Sequence, residues 1–408
     1  MKEATRLWSV RTPGVVVLLF LLGASAVPAA DSLSQALSDG KPELDIRYRY
    51  EKVEQDGFDL DARASTIRFR LGYTTAPLRG FFVGADVEYI ATIGTDNYND
   101  FENGKTQYPV VADPEGAELN RAFIGYSGLK NTLFKVGRQR IILDNHRFVG
   151  NVGWRQNEQT YDALTAISQF GERVKLIATV INNVNTIWGE SHPTKGDLNI
   201  DGRVVNVATK IPGGTLVAYA HLIEVEDAPS MSHRNLGVRY TGKHNFNDDV
   251  DLLYTGEYAD QSDYKNGSSV IDAAYYFAEA GVRWKQFTCK LGYEVLGSND
   301  GLYGFSTPLA TLHKFNGWAD LFLTTPDAGL EDLYFSAGAK LWGFKALAVY
   351  HDFSPDESGD DFGSELDLRV ARTFKRHYTA VLKYSDFDSD SDVKPDTTKL
   401  WGILQLKF

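Results

Sequence analysis

Apolar and polar residues alternate through almost the whole chain. From Glu43 to Val53, Leu44, Ile46, Tyr48 and Tyr50 interleave with Asp45, Arg47, Arg49 and Glu51. A period of two puts one set on each face of a β-strand. Ser65 to Thr74 repeats the pattern, with Ile67, Phe69, Leu71 and Tyr73 against Arg68, Arg70 and Gly72. Gly80 to Ile90 sets Val83, Ala85, Val87 and Tyr89 against Gly84, Asp86 and Glu88. Further strands are predicted near 118–128, 132–140, 161–168, 174–181, 203–210, 214–222, 233–241, 250–260, 274–284, 287–296, 332–342, 344–351, 363–374, 377–387 and 398–408, eighteen in all. Each has about the 9–11 residues that a tilted strand needs to cross a bilayer. The faces of 161–168, 214–222 and 344–351 are ambiguous, because both sets there contain apolar residues.

The connections alternate in length. The short ones are 75–79, 129–131, 169–173, 211–213, 242–249, 285–286, Gly343 and 375–376. The long ones are 54–64, 91–117, 141–160, 182–202, 223–232, 261–273, 297–331, 352–362 and 388–397. Short periplasmic turns and long outer loops are the habit of outer-membrane barrels. The last strand alternates Leu400, Gly402, Leu404, Leu406 and Phe408 with Trp401, Ile403, Gln405 and Lys407. A strand closing on a terminal Phe resembles the signal that outer-membrane barrel-assembly machinery reads. Together these features predict an all-β fold, a transmembrane antiparallel β-barrel of about 18 strands, in a bacterial outer membrane.

The N-terminus differs in kind. Lys2, Arg6 and Arg11 precede an apolar run from Val15 to Leu22, and small residues follow to Ala30. That order predicts a secretory signal peptide over 1–30, cut after Ala29 or Ala30. A short periplasmic segment, 31–42, then leads into a barrel over 43–408. No later stretch has 18 consecutive apolar residues, so a helical membrane protein is excluded. A mean hydropathy of -0.28 suits a barrel, since half of each strand faces water.

Charge then changes the picture inside. Beyond residue 30 the chain has 39 basic and 53 acidic residues, net −14, which speaks against nucleic acid as a partner. The single Cys289 allows no internal disulfide and no thiolate metal site. If the apolar set faces lipid, the strands place fifteen basic residues in the lumen. They place nine acidic ones there: Asp45, Glu51, Asp86, Glu88, Glu257, Glu279, Glu294, Glu365 and Asp367. The acidity then belongs to loops such as 224–227, 356–361 and 386–392, read as solvated or as bridging divalent cations to lipopolysaccharide. A positive wall around water selects anions. The expected solute pathway is Arg47, Arg49, Arg68, Arg70, Arg121, Arg138, Arg239, Arg283, Lys340, Arg369 and Lys383. The alternative is that these cations pair across strands and stiffen the barrel. Eighteen strands leave an aqueous channel that needs narrowing. Loop 141–160, with Asp144, Arg147, Trp154 and Arg155, is the candidate constriction, and loop 297–331 could fold into the mouth.

Three stretches carry a resemblance: GRQRIILDNHRFVGNVGWRQNEQTYDAL (137–164), YPVVADPEGAELNRAFIGY (108–126) and TPLATLHKFNGWADLFL (307–323). They resemble the alginate-export family of outer-membrane porins, over about Asp45 to Phe408. The resemblance implies an eighteen-stranded barrel with an arginine-rich, electropositive pore for a polyuronate. This chain departs from that pattern in its nine lumen carboxylates and its short segment 31–42. The expected function is a passive channel for anionic solutes such as acidic sugars or oligosaccharides. The expected partners are outer-membrane lipid, lipopolysaccharide and the solute. Rival readings are a general porin, an adhesive barrel and a membrane-embedded hydrolase. The eight histidines form no H-E-x-x-H, and GYSGL at 125–129 is not a nucleophile elbow, so no catalytic, cofactor or metal site is expected.

Overall fold

The computed structural model describes residues 30–357, 359–391 and 393–408. The expected signal peptide, apart from Ala30, lies outside the described residues, as do Ser358 and Asp392 of two acidic loops. A short helix, α1 (Leu33–Ser38), opens the described chain, with the Ser32 hydroxyl accepting from the Gln35 N–H at 3.2 Å. The Ala76 N–H donates to the Ala36 carbonyl, and the Ala30 N–H to the Pro77 carbonyl. The segment therefore packs against the first short turn.

Eighteen strands follow: β1 (Lys41–Gln55), β2 (Ala62–Thr74), β3 (Phe81–Asn97), β4 (Gly116–Tyr126), β5 (Thr132–Gln139), β6 (Thr160–Phe170), β7 (Val174–Asn185), β8 (Asp197–Ile211) and β9 (Gly214–Val225). The second half holds β10 (His233–Asn245), β11 (Val250–Asp263), β12 (Asp272–Trp284), β13 (Phe287–Leu296), β14 (Leu330–Leu341), β15 (Phe344–Ser354), β16 (Gly363–Phe374), β17 (Tyr378–Ser389) and β18 (Thr397–Lys407). Each pairs antiparallel with the next. β18 returns to β1 with Asp45 opposite Lys407 and Gln55 opposite Thr397. Closure leaves no strand edge unpaired, which a bilayer requires because hydrocarbon offers no hydrogen bonds.

The barrel begins two residues before the expected Glu43, and several strands run past their expected outer ends. β3 continues to Asn97 and β8 starts at Asp197, because pairing outlasts the apolar band. One short connection also differs. Trp342 and Gly343 both have positive φ, 52° and 82°, so the β14–β15 turn is the two-residue primed hairpin rather than Gly343 alone.

Burial is inverted relative to a water-soluble fold. Along β1 the charged Asp45, Arg47, Arg49 and Glu51 are buried, while Leu71 on β2, Leu382 on β17 and Leu404 on β18 are 60–65 % exposed. Ordinary proteins bury the second kind and expose the first. Here the outward row meets lipid. Trp284, Trp342, Phe344, Phe374 and Tyr378 stand exposed near the short turns, where an aromatic girdle meets the membrane interface.

Candidate functional site in the barrel lumen

Two loops enter the barrel. The first, 140–159, buries Ile141, Leu143, Phe148 and Val149; the second, 297–329, buries Phe305, Leu309, Ala319 and Phe322. They share one core with inward residues of the wall, including Tyr161, Ile181, Val204, Tyr219 and Tyr275. The Phe148 ring sits 5.1 Å from Tyr219, 5.5 Å from Tyr275 and 6.0 Å from Phe305. This is why the strands near 161–168 and 214–222 have apolar residues on both faces. One side meets lipid and the other meets loop.

The arginines of β1 and β2 hold the first loop by its backbone. Arg47 donates to the Gly153 carbonyl (2.9 Å), the Arg155 carbonyl and Gln156 Oε1 (2.9 Å). Arg49 donates to the Trp154 carbonyl at 2.8 Å, and Arg68 to the Gln156 carbonyl at 3.1 Å. Four successive carbonyls, 153–156, thus find guanidinium donors. An irregular segment at membrane depth leaves such acceptors without helix or sheet partners, and unpaired they would be costly. Gln156 completes the clamp, donating to Thr66 Oγ1 at 2.9 Å while its own N–H donates to Asp113 at 2.8 Å. These arginines were expected on the open solute path. The structure instead places Arg47, Arg49 and Arg68 almost wholly inside, as the frame of the constriction.

Glu158 ends the clamped stretch. It takes Arg70 at 3.0 Å, Arg140 Nε at 2.8 Å, Asn120 at 2.8 Å and Asn151 at 2.7 Å. Burial opposes its charge, but Arg70 and Arg140 hold the carboxyl well below the usual range. Arg147 joins the loops, reaching Glu294 at 3.0 Å and Asn316 at 3.1 Å. Arg155 spans Glu51 at 3.1 Å and Asp320 at 2.9 Å. Asp144 accepts from Asn206 of the wall at 2.7 Å.

Asp320 is the hub of the second loop. It also accepts from His313 Nδ1 at 2.6 Å and lies 3.5 Å from Lys399 of β18. Burial opposes its charge, yet His313, Lys399 and Arg155 hold the carboxyl well below its ordinary range. Burial keeps the His313 imidazole neutral, down at about 3, against the pull of Asp320. Its Nε2 therefore accepts from the Lys383 ammonium. That ammonium sits 3.6 Å from the Trp318 ring centre, 4.3 Å from Trp154 and 4.9 Å from Trp401. Trp154 stacks on His313 at 4.2 Å and also receives the Arg49 guanidinium at 4.3 Å. Glu365 of β16 accepts from the Trp318 and Ala319 N–H groups and from Ser385 Oγ. Gly317, at φ 82°, leaves the space: an added Cβ would lie 2.3 Å from Glu365 Oε2.

The other expected path residues divide. Arg121 pairs with Asp86 and Glu43, Arg239 with Glu257, and Arg283 with Asp251. Arg138 is tied at the outer rim to Asp162 and Glu190. Lys340 is exposed near the short turns. Lumen carboxylates number more than the nine expected, because Asp251, Asp332, Asp113, Glu158 and Asp320 are also inside, and Arg140, Arg147, Arg155, Lys314 and Lys399 add as many cations beyond those expected. Asp320, Glu365, Gln156, Trp318 and Trp401 were not among the expected site residues. A buried Gln or Trp on a loop gives no signal until the loop's position is known.

Between the loops and the short turns lies a cavity of about 650 Å³. Its charged lining comprises Arg239, Lys290, Lys314, Arg369, Lys383, Glu279, Glu294 and Asp332, with Phe277, Phe315 and Tyr334 among the aromatics. Glu279 pairs with Lys290, Glu294 with Arg147, and Asp332 with His351. Arg369 makes no hydrogen bond or ion pair with any described residue, and Lys314 donates only to the Asn145 carbonyl.

The family model for alginate export matches residues 42–295. The chain belongs to the alginate export family. Its barrel also matches solved outer-membrane structures at low identity, which carries the fold alone. OccAB4 of Acinetobacter baumannii superposes with a TM-score of 0.70 at 14% identity, over 91% of this chain and 98% of that one. OpdK of Pseudomonas aeruginosa, crystallised with vanillate, gives 0.71 at 13%, over 91% and 99%. The outer membrane protein OpdK, in another structure, gives 0.68 at 13%, over 90% and 99%. No curated protein matches the sequence. This alginate-export barrel is thus a porin-type channel of the bacterial outer membrane, its lumen narrowed by loops 140–159 and 297–329.

Proposed function

We propose that the channel passes anionic solutes passively, with acidic sugars and oligosaccharides such as polyuronates as their class. One observation carries this reading. Every carboxylate lining the cavity below the loops already has a cationic or histidine partner, whereas Arg369 and Lys314 have no carboxylate partner among the described residues. The water there faces uncompensated positive charge, which favours anion entry. A guanidinium without a partner also keeps its two-pronged donor edge for a carboxylate. Membership of the alginate export family supports the same class of solute. The test is the reversal potential of the purified protein in planar bilayers under a potassium chloride gradient. Chloride preference is expected, and potassium preference would overturn the proposal.

A further inference from the structure

We propose that the outer wall binds an anionic phospholipid of the inner leaflet at Arg372. The site lies on the lipid side of the barrel and is independent of what the channel carries. Arg372 of β16 shares the outward parity of Leu368, Val370 and Phe374, which are 40–44 % exposed. It stands opposite Phe344 of β15 and Ala380 of β17. Its guanidinium carbon lies 4.7 Å from the Phe344 ring centre and 4.8 Å from that of Phe374. Two aromatic rings thus hold the cation in place. The guanidinium also meets Gly343 of the β14–β15 turn, where an ideal Cβ would lie 3.6 Å from Arg372 Nε. Glycine at φ 82° makes that turn and leaves the guanidinium edge uncovered.

The cation has rings but no anion. Arg372 makes no hydrogen bond or ion pair with any described residue, and residues 333–351 and 368–385 hold no Asp or Glu. Lys375 and Arg376, exposed in the β16–β17 turn, add two charges that are likewise without an ion pair among the described residues. Lys285 of the neighbouring β12–β13 turn differs, with Asp249 3.6 Å away. Trp342, 86 % exposed, and Tyr378 continue the aromatic girdle beside the site. The short turns of such barrels face the periplasm, so the polar groups this rim meets are inner-leaflet head groups. A phosphate diester can accept two N–H donors of one guanidinium in charge-assisted bonds. Lys375 and Arg376 then favour a head group of net negative charge over one that also carries an ammonium. The acyl chains of that lipid would run along the exposed Val370, Leu368 and Leu366 of the same strand.

The experiment weighs the full chain by native mass spectrometry after release from detergent that carries equal phosphatidylglycerol and phosphatidylcholine. The first retained lipid is expected to be phosphatidylglycerol. Arg372→Gln should lower its ratio to phosphatidylcholine about fivefold, the weight of one basic residue at an anionic surface. Phe344→Leu keeps the charge but loosens its placement, and should lower the ratio by less. Lys130→Gln removes an exposed cation of the β4–β5 turn and should leave the ratio unchanged. Migration on unheated gels checks that each variant is folded. Equal retention of the two lipids by the intact chain would overturn the site without any variant. An equal fall in Arg372→Gln and Lys130→Gln would reveal diffuse rim charge. Retained inorganic phosphate without lipid preference would mark a site for a free anion. Either result overturns the proposal.

Discussion

Arg155 of one lumen loop donates to Asp320 of the other at 2.9 Å, and its second prong reaches Glu51 of the wall at 3.1 Å. All three side chains are almost fully enclosed. One guanidinium therefore couples both loops to the barrel near the β1–β18 seam. The two loops behave as one insert rather than as two independent flaps.

Removing the hub should uncouple them. Asp320→Ala strands Arg155, Lys399 and His313 without their shared acceptor, and breaking a buried pair on one side typically costs about 3–5 kcal/mol. The strands keep their own ladder, so the barrel should still insert. Single-channel records should show a larger and noisier conductance than the wild type. A quiet, unchanged level would mean that Asp320 does not hold the loops.

The arginine frame gives a second prediction, with a different readout from the cavity cations. Arg49→Ala removes the donor to the Trp154 carbonyl and the cation above the Trp154 ring. It should raise conductance and lower the thermal stability of the insert while moving the reversal potential little. Arg369→Gln should do the reverse, shifting ion preference with little change in conductance. Reversal potentials and conductances of the two variants, measured side by side, check the division.

A third prediction concerns acid. His313 is held neutral, down at about 3, between Asp320, Lys383, Arg155 and the Trp154 and Trp401 rings. A histidine released from the docked loop titrates near 6.5. Between these values the undocked state binds the extra proton, so docking weakens as pH falls below about 6.5 and is fully supported above it. Channel noise should therefore increase from pH 7 to pH 4. His313→Gln keeps a donor and an acceptor but cannot titrate, and it should flatten that dependence.

Lipid-facing positions give a fourth. Leu382 is 65 % exposed on β17, opposite Val370 and Gly402. Leu382→Arg puts a charge into hydrocarbon and should destabilise the barrel by up to about 2–4 kcal/mol, depending on depth. Lys340→Leu, in the watery mouth, should cost far less. Denaturant unfolding from liposomes compares the two.

The barrel was legible because lipid and lumen impose a period of two, and Asp45, Arg47, Arg49 and Glu51 of β1 obey it without exception. Legibility failed where a second apolar surface lies inside. Tyr161, Val217 and Tyr219 face a buried loop, and Leu347 and Val349 face the cavity, so both faces of their strands look alike. Strand ends also escaped, since Thr92–Asn97 continues to pair beyond the apolar band. The roles of the arginines could not be read from parity alone. Parity places Arg47 and Arg369 on the same inner face, but only the fold shows that one grips a loop carbonyl and the other has no polar partner among the described residues. The cage around Lys383 joins Trp154, Trp318 and Trp401, residues that no sequence window contains together.

The arginines of β1 and β2 clamp the insert in the lumen by its backbone carbonyls. The most direct test of that clamp compares the single-channel conductance of the intact protein with that of a chain in which residues 145–157 are replaced by a short glycine-serine link. Without the clamped carbonyls the bore should approach that of the bare eighteen-stranded wall, and conductance should rise several-fold. Equal conductance in the two proteins would place that loop outside the pore and contradict the account.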